Sequence, residues 1–472
     1  MPDDAANSKP AAVPIQARRR RRRDWARFTR LQSLRWRQRS MFLFGGVVIG
    51  LAGVVMAVGA AAAERQFGRL LDHWPLASLV VTPLGFVSLA WLTRRFVPNS
   101  EGSGIPQAIA ARKLWSQAER GKLVSLWIGS GKMVLTLAGL LCGASIGREG
   151  PTVQIGASIM FAIGRLSPAR QPGLILAGAS AGIAAAFNTP LAGVIFGIEE
   201  MSRSFDERSN GLIIGAVIAA GIVSVVLVGN YTYFGVTSAT LAAGTGWAAV
   251  PVCGVAGGLL GGLFSRILVE FGRGLPGPVG LAIKRHRILF ALICGLVVAL
   301  CGAASGNTVF GTGYQHVKAL IDHGQPLQAS FAPLKLIATI ASSIAGIPGG
   351  LFSPSLAIGA GIGYDVSRLL PGTPAEAIVL LGMVGYFAGV VQAPITAFAI
   401  VAEMTADHNM IVPLMASSLL GSVSSKLLCP EGVYHILARN YIRLFAPEAE
   451  APRPGAAVAI TPSREPPPQL GE

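Results

Sequence analysis

The sequence predicts an all-α polytopic membrane protein, built as an inverted repeat of many tilted and broken helices. Three observations carry that prediction. Of 472 residues, 52% are hydrophobic and only 13% charged, against roughly 25% charged in ordinary soluble domains. The 59 glycines are about double the usual share. Small residues let helix backbones approach closely in lipid, where no hydrophobic force drives them together. Apolar stretches recur along the whole chain. Many are shorter than the ~20 residues a span requires and are interrupted by Gly or Pro. Short, broken segments in both halves of a chain are the mark of an inverted-repeat transporter with its site at the bilayer midplane.

The first element, residues 1–40, is basic. Lys9 and eleven arginines (Arg18 to Arg23, Arg27, Arg30, Arg35, Arg37 and Arg39) stand against Asp3, Asp4 and Asp24, a net +9 out of +16 for the chain. Such a run can bind nucleic acid. Placed directly before an apolar segment that starts at Met41, it reads instead as a positive-inside signal, which puts the N-terminus in the cytoplasm and leaves no nucleic-acid partner. Within it, Trp25, Phe28, Leu31 and Leu34 suit an amphipathic helix over 24–39 on the anionic inner leaflet. No cleavable signal peptide is expected, because the apolar segment begins late and runs long.

A transmembrane domain over 41–445 follows, with apolar stretches near 41–63, 77–92, 123–146, 152–164, 173–199, 211–229, 248–269, 288–304, 330–347, 351–363, 376–402 and 411–425. The break at 229–247 divides it into repeats of about 41–228 and 248–440. No strong residue-level repeat is visible across that break, so the repeat rests on layout. The tail 446–472 is rich in Pro, Ala and Glu and cannot form a core, which predicts a disordered cytoplasmic segment. Cys142, Cys253, Cys294, Cys301 and Cys429 lie in or beside apolar stretches without ligand spacing and read as small core residues.

Inside the apolar region one charged step stands out, Gly147-Arg148-Glu149-Gly150-Pro151. No charge occurs from Met133 to Ile146 before it, or from Pro151 until Arg165 after it. An ionisable group at the bilayer centre costs roughly 2.5–3.5 kcal/mol on insertion scales, so a carboxylate kept there marks a functional site. Two further Gly–Pro breaks resemble it, Gly102-Ser103-Gly104-Ile105-Pro106 and Gly349-Gly350-Leu351-Phe352-Ser353-Pro354. Each comes just before a predicted helix, and proline suits a first helical turn. Helix N-termini present unpaired N–H groups and about half a positive charge. Several converging at the midplane would hold an anion without a fixed cation that binds it too tightly.

These breaks, with Tyr434 in a late helical segment, resemble the CLC family of chloride channels and chloride/proton exchangers. Ala184-Ala185-Ala186-Phe187-Asn188-Thr189-Pro190-Leu191-Ala192-Gly193 and Ile198-Glu199-Glu200-Met201 add to the resemblance, which runs from about Met41 to Leu444. It implies a CLC-type inverted repeat and a homodimer with one pathway per subunit. It also implies a central chloride held by the hydroxyls of Ser103 and Tyr434 and by the amides of Leu351 and Phe352. Amides around Arg148, Glu149 and Gly150 would form an external site. Glu149 would be the gate, occupying the anion position itself until protonation releases it, and Glu200 the inner proton relay. A purely structural Arg148–Glu149 pair, and a Glu199–Glu200 pair solvated at the membrane boundary, stand beside those roles. Glu200 favours antiport over a passive channel of the same fold. Some exchangers of the family also carry an acid soon after the first break, where this chain has Gln107 and Ile109. Ser103 and the intact GREGP step point to chloride.

Lys132, in an apolar stretch, either raises the local positive potential or pairs with a carboxylate. Glu403 reads as structural. Gly178-Ala179-Ser180-Ala181-Gly182 fits a nucleophile-elbow pattern, which leaves a membrane-embedded serine hydrolase on Ser180 as a remote alternative. A small-residue packing face accounts for it better. Gly129-Ser130-Gly131-Lys132-Met133 lacks the spacing of a P-loop. No metal or organic cofactor is implied. The partners are chloride, protons and the lipid bilayer, and the location is the cell inner membrane with both termini cytoplasmic. A chain without a long C-terminal extension suggests a prokaryotic type.

Overall fold

Where glycine and proline interrupt the apolar stretches, helices begin inside the protein instead of at its surface. The computed structural model describes residues 15–446 except 166, 203–206, 230, 231, 236, 238, 242, 243 and 408, and from 15 to 39 it describes the backbone alone. The first half contains α1 (Ile15–His73), α2 (Ser78–Phe96), α3 (Ile105–Lys113), α4 (Gln117–Val124), α5 (Leu126–Leu141), α6 (Glu149–Gly164), α7 (Gln171–Phe187), α8 (Pro190–Phe196) and α9 (Glu207–Val228). The second contains α10 (Ala249–Arg273), α11 (Gly277–Arg285), α12 (Arg287–Ala304), α13 (Tyr314–His323), α14 (Phe331–Ile344) and α15 (Phe352–Ser367). It closes with α16 (Ala375–Val391), α17 (Pro394–Thr405), α18 (Ile411–Ser425) and α19 (Val433–Phe445). Among the described residues the extended pairing consists of two isolated bridges, Gly102 with Pro348 and Gly147 with Gly350.

The expected all-α architecture is present, with one difference at the start. α1 is continuous from Ile15 to His73, so the change from basic to apolar sequence near residue 40 is not a helix boundary. The face proposed for Trp25, Phe28, Leu31 and Leu34, and the tail from 447 onward, lie outside the described side chains and residues. Among the described residues, four segments are long and apolar enough to cross a bilayer: Ser40–His73, Gln117–Leu141, Gly246–Arg273 and Arg287–Ala304. The helices nearest the centre are shorter. α6 and α15 have 16 residues each, about 24 Å of rise against a hydrocarbon core of about 30 Å. Each therefore starts at depth.

The two halves correspond residue by residue, which the sequence alone did not disclose. Lys132 and Lys335, Gly147 and Gly350, Pro151 and Pro354, and Gly156 and Gly359 each stand 203 residues apart. Asn188 and Gln392, Pro190 and Pro394, and Glu199 and Glu403 stand 204 apart. Backbone geometry matches as well. Asn188 and Gln392 end α7 and α16 in the same left-handed conformation, φ 58° in both. The following Thr189 and Ala393 open α8 and α17 at φ −125° and −122°. Few identities survive this register, so a composition-level reading passes over it.

Small residues decide how closely the corresponding helices pack. Gly156 of α6 lies against the Gly178 carbonyl of α7, and a Cβ on either would run into the other's backbone. Gly359 of α15 and Gly382 of α16 repeat the contact. Ser180, one turn from Gly178, is fully buried and donates to the Leu176 carbonyl (3.0 Å) in mid-helix. That geometry removes the hydrolase alternative, since a nucleophile elbow needs a strand-to-helix turn that exposes the hydroxyl.

Two carboxylates tie the halves together. Glu199, in the π-helical turn Gly197–Ser202 after α8, accepts from the amides of Ile395 (3.1 Å) and Thr396 (2.6 Å) and from the Thr396 hydroxyl (2.7 Å) at the start of α17. Glu403, near the end of α17, accepts from the amides of Leu191 (3.1 Å) and Ala192 (2.8 Å) at the start of α8. Each half caps the other's helix N-terminus, where a negative charge satisfies orphan donors and opposes the dipole. Glu403 is structural, as expected, while Glu199 is a cap and not a solvated boundary carboxylate.

Replacing Gly178 with Val should force α6 from α7 and destabilise the fold by roughly 1–3 kcal/mol, read as a lower unfolding temperature in detergent. Glu403→Ala and Glu199→Ala should each lose charge-assisted caps worth roughly 1.5–3 kcal/mol; a melting temperature unchanged in either variant would contradict the reciprocal clasp.

Candidate functional site

Backbone that leaves one helix and enters another at depth must satisfy its own polar groups, because lipid offers no water. Here the three breaks satisfy one another. The Gly102 amide donates to the Ile347 carbonyl (3.1 Å), and the Gly349 amide to the Gly102 carbonyl (3.0 Å). One residue on, Gly147 and Gly350 exchange amide–carbonyl bonds of 2.7 Å each way. The third break is thus stitched to both of the others, and the starts of α3, α6 and α15 meet around it.

Within this junction α6 and α15 begin on corresponding sequences, Gly147-Arg148-Glu149-Gly150-Pro151 and Gly350-Leu351-Phe352-Ser353-Pro354. Where they differ, they fit together. Glu149 is fully buried, and one carboxylate oxygen accepts from the Ser353 amide (3.3 Å) while the other accepts from the Ser353 hydroxyl in a short bond. The carboxylate of one helix start therefore occupies the N-terminus of the other. Gly150, the counterpart of Ser353, must lack a side chain, since a Cβ there would collide with the carbonyl and hydroxyl of Ser103.

The Arg148 guanidinium donates to the Ala57 carbonyl of α1 (2.9 Å) and lies 5.1 Å from the Tyr233 ring centroid. Leu351 and Phe352 are buried as N-cap and first residue of α15, where first-turn amides have no carbonyl partner within the helix. The Phe352 ring packs edge-on against Phe387 (4.7 Å between centroids) and lies 6.0 Å from that of Tyr434. Tyr434 is fully buried and Ser103 nearly so, and neither hydroxyl has a hydrogen-bond partner by geometry among the described residues. Two buried hydroxyls beside free helix-start amides leave donors for an anion.

Glu200 is buried at 1% exposure. It is neither solvated nor at the protein boundary. The π turn sends Glu199 to α17 and turns Glu200 towards α19, and a π turn within a helix often marks a functional site. There the Glu200 carboxylate lies 3.4 Å from Nε2 of His435, which also donates to the Glu200 carbonyl (2.9 Å). Gln107 is spent on structure, donating to the carbonyls of Asn99 (3.2 Å) and Glu101 (2.7 Å) and to the Tyr441 hydroxyl (3.0 Å). Ile109 is in the core. Lys132 is fully buried and its amine has no hydrogen-bond partner among the described residues. Its counterpart Lys335 instead donates to the carbonyls of Val309 (2.8 Å) and Gly311 (2.7 Å).

Two participants escaped the sequence reading. Tyr233 lies in the stretch taken only as a divider, yet it is buried, its hydroxyl 3.2 Å from that of Ser353, with its ring under Arg148. His435 follows Tyr434 directly, and only proximity to Glu200 reveals its interest. A cavity of about 360 Å³ opens onto Ser103 and Leu351 between α3, α10 and α19. It adjoins a second of about 460 Å³ whose lining includes Arg94, Arg273, Lys284 and Arg287.

Known proteins resemble this chain over most of its length. The family described as voltage gated chloride channel matches residues 84–426. The H(+)/Cl(-) exchange transporter ClcA of Yersinia pestis is 31% identical over 466 residues, covering 90% of this chain and 91% of that protein. The ClcA exchanger of Salmonella typhimurium is 29% identical, covering 86% and 89%. Among solved structures, a slow cyanobacterial Cl-/H+ antiporter superposes with a TM-score of 0.71 at 24% identity, covering 87% of this chain and 99% of its own. A CLC-type fluoride/proton antiporter gives 0.70 at 22% identity, covering 85% and 97%.

Proposed function

The chain belongs to the voltage-gated chloride channel (CLC) family, and we propose that it exchanges chloride for protons across the membrane, with Glu149 as the gate and Glu200 as the inner proton relay. It is a transporter of that family and not an enzyme. The observation that carries the proposal is the Glu149 carboxylate on the amide and hydroxyl of Ser353. A carboxylate that accepts from a helix start imitates the anion such a start would bind. Protonation removes its charge, weakens both bonds and frees the position for chloride. Chloride arriving there in turn favours the protonated, displaced side chain, so chloride and the charged carboxylate exclude one another at one place.

The chloride route runs from the cationic cavity through the adjoining one to Ser103, where the hydroxyls of Ser103 and Tyr434 and the amides of Leu351 and Phe352 form the central position. Arg94, Arg273, Lys284 and Arg287 raise the local anion concentration at its mouth. Amides at Arg148, Glu149 and Gly150 form the outer position. Chloride is the expected anion because Ser103 offers a hydroxyl donor. The proton route enters separately at Glu200, which is buried beside His435 while Glu199 caps α17, and a buried acid at this place supports exchange over a passive channel.

The same reading includes a homodimer in the cell inner membrane with both termini cytoplasmic. Leu191, Ile218, Ile395, Val412 and Leu419 expose apolar surface on α8, α9, α17 and α18. α8 has 7 residues and α17 has 12, too short to face lipid alone across a core of about 30 Å, and a second copy would cover them.

Purified protein in liposomes tests the exchange directly: an imposed chloride gradient should move protons against their own gradient. Chloride flux without proton movement would return the channel reading. Glu149→Ala should abolish proton coupling and keep anion flux, and proton transport surviving in that variant would refute the gate. Glu200→Val should likewise spare chloride flux and lose the protons.

A further inference from the structure

We propose that Glu200 does not work alone, and that His435 shares its proton, so that the pair loads from the cytoplasmic side as a unit. This rests on the exchange reading above and adds to it a group which that reading does not use. The ring and the carboxylate are both buried, at 6% and 1% exposure, and Glu200 Oε1 lies 3.4 Å from His435 Nε2. The same nitrogen is 2.9 Å from the Glu200 carbonyl. A carbonyl can only accept, so Nε2 carries a hydrogen, gives it to the Glu200 carbonyl, and stands 3.4 Å from the carboxylate oxygen.

Secondary structure explains why the two meet. Glu200 sits in a π turn, which widens the helix and turns consecutive carboxylates to different neighbours. His435 sits in the first turn of α19, one residue past Tyr434. The hydroxyl proposed for the central anion and the ring proposed for the proton are thus adjacent on one helix start. That is where the two routes come closest on the inner side.

Among the described residues, the charged groups on the neighbouring elements make contacts of their own. Arg112 at the end of α3 donates to the Met201 carbonyl (2.6 Å). Glu199 caps α17, Arg273 of α10 pairs with Glu270 (3.6 Å), and Arg439 pairs with Glu431 (2.6 Å). Lys113 lies at the end of α3, exposed.

A buried carboxylate that must repeatedly gain and lose a proton faces a large desolvation penalty in its charged state. An adjacent imidazole reduces that penalty. With one proton added, the pair is imidazolium beside carboxylate, net neutral. Transfer breaks the Nε2–H bond and forms O–H on Oε1, leaving neutral imidazole and a neutral acid. The acid side chain then carries the proton inward, and the vacated nitrogen is open to the next one. Histidine suits this because its ordinary pKa lies near neutrality.

The test is proton and chloride flux in the same liposomes for wild type, His435→Gln and His435→Ala. Glutamine can still donate to the Glu200 carbonyl but cannot titrate. Proton flux in His435→Gln should fall roughly a hundredfold while chloride flux persists. Imidazole in the cytoplasmic-side buffer should restore proton flux to His435→Ala, which a purely structural role would not allow. Wild-type coupling with undiminished coupling in His435→Gln overturns the proposal. Should His435→Gln not assemble, His435→Ala with and without imidazole decides the question, absence of rescue counting against it. A wild-type protein that moves chloride without protons is a failure of the exchange reading instead, and the two outcomes are distinct.

Discussion

Three chain breaks buried at depth must hydrogen-bond to one another, and the rest of the molecule is arranged around that requirement. Lipid cannot satisfy a free amide or carbonyl, so the 347–350 segment pairs with Gly102 on one side and Gly147 on the other. Once it does, the starts of α3, α6 and α15 are fixed in mutual contact. Their first-turn amides then face a common point. The proposed anion site would draw on those amides, with no cationic side chain required inside it.

Duplication supplied the parts and divergence made them complementary. In the register of 203 residues, Glu149 corresponds to Phe352 and Gly150 to Ser353. Had both halves kept the acid, two carboxylates would repel at the junction. With serine on one side and glutamate on the other, the two helix starts bond instead. The lysines differ too: Lys335 donates to two carbonyls, while the buried Lys132 amine has no such acceptor among the described residues. Glu199 and Glu403 did not diverge, because capping a helix start is the same task in both halves.

How much of this was legible depends on whether a residue's role is local. The Gly–Pro breaks announce themselves, since no other pattern so plainly stops one helix and begins the next. An Arg–Glu step without another charge for many residues on either side is equally plain. Tyr233 was missed because a linker aromatic has no local signature; its importance comes from Arg148 and Ser353, which are distant in sequence. His435 was missed for the same reason. The Glu199–Glu200 pair was readable as acidic, but which of the two caps a helix and which is buried beside a histidine depends on a π turn that no periodicity forecasts.

By itself the sequence determined the class, the helical architecture, the three breaks and the expensive carboxylate among them, because composition and helix-start chemistry act within a few residues. Tertiary structure alone decided that the breaks share hydrogen bonds, that Glu149 rests on Ser353 and that Arg148 donates to α1. It also decided that Glu200 meets His435. Those are contacts between segments up to 247 residues apart, and they depend on backbone approach, which small residues such as Gly150 and Gly178 permit and which no local pattern records.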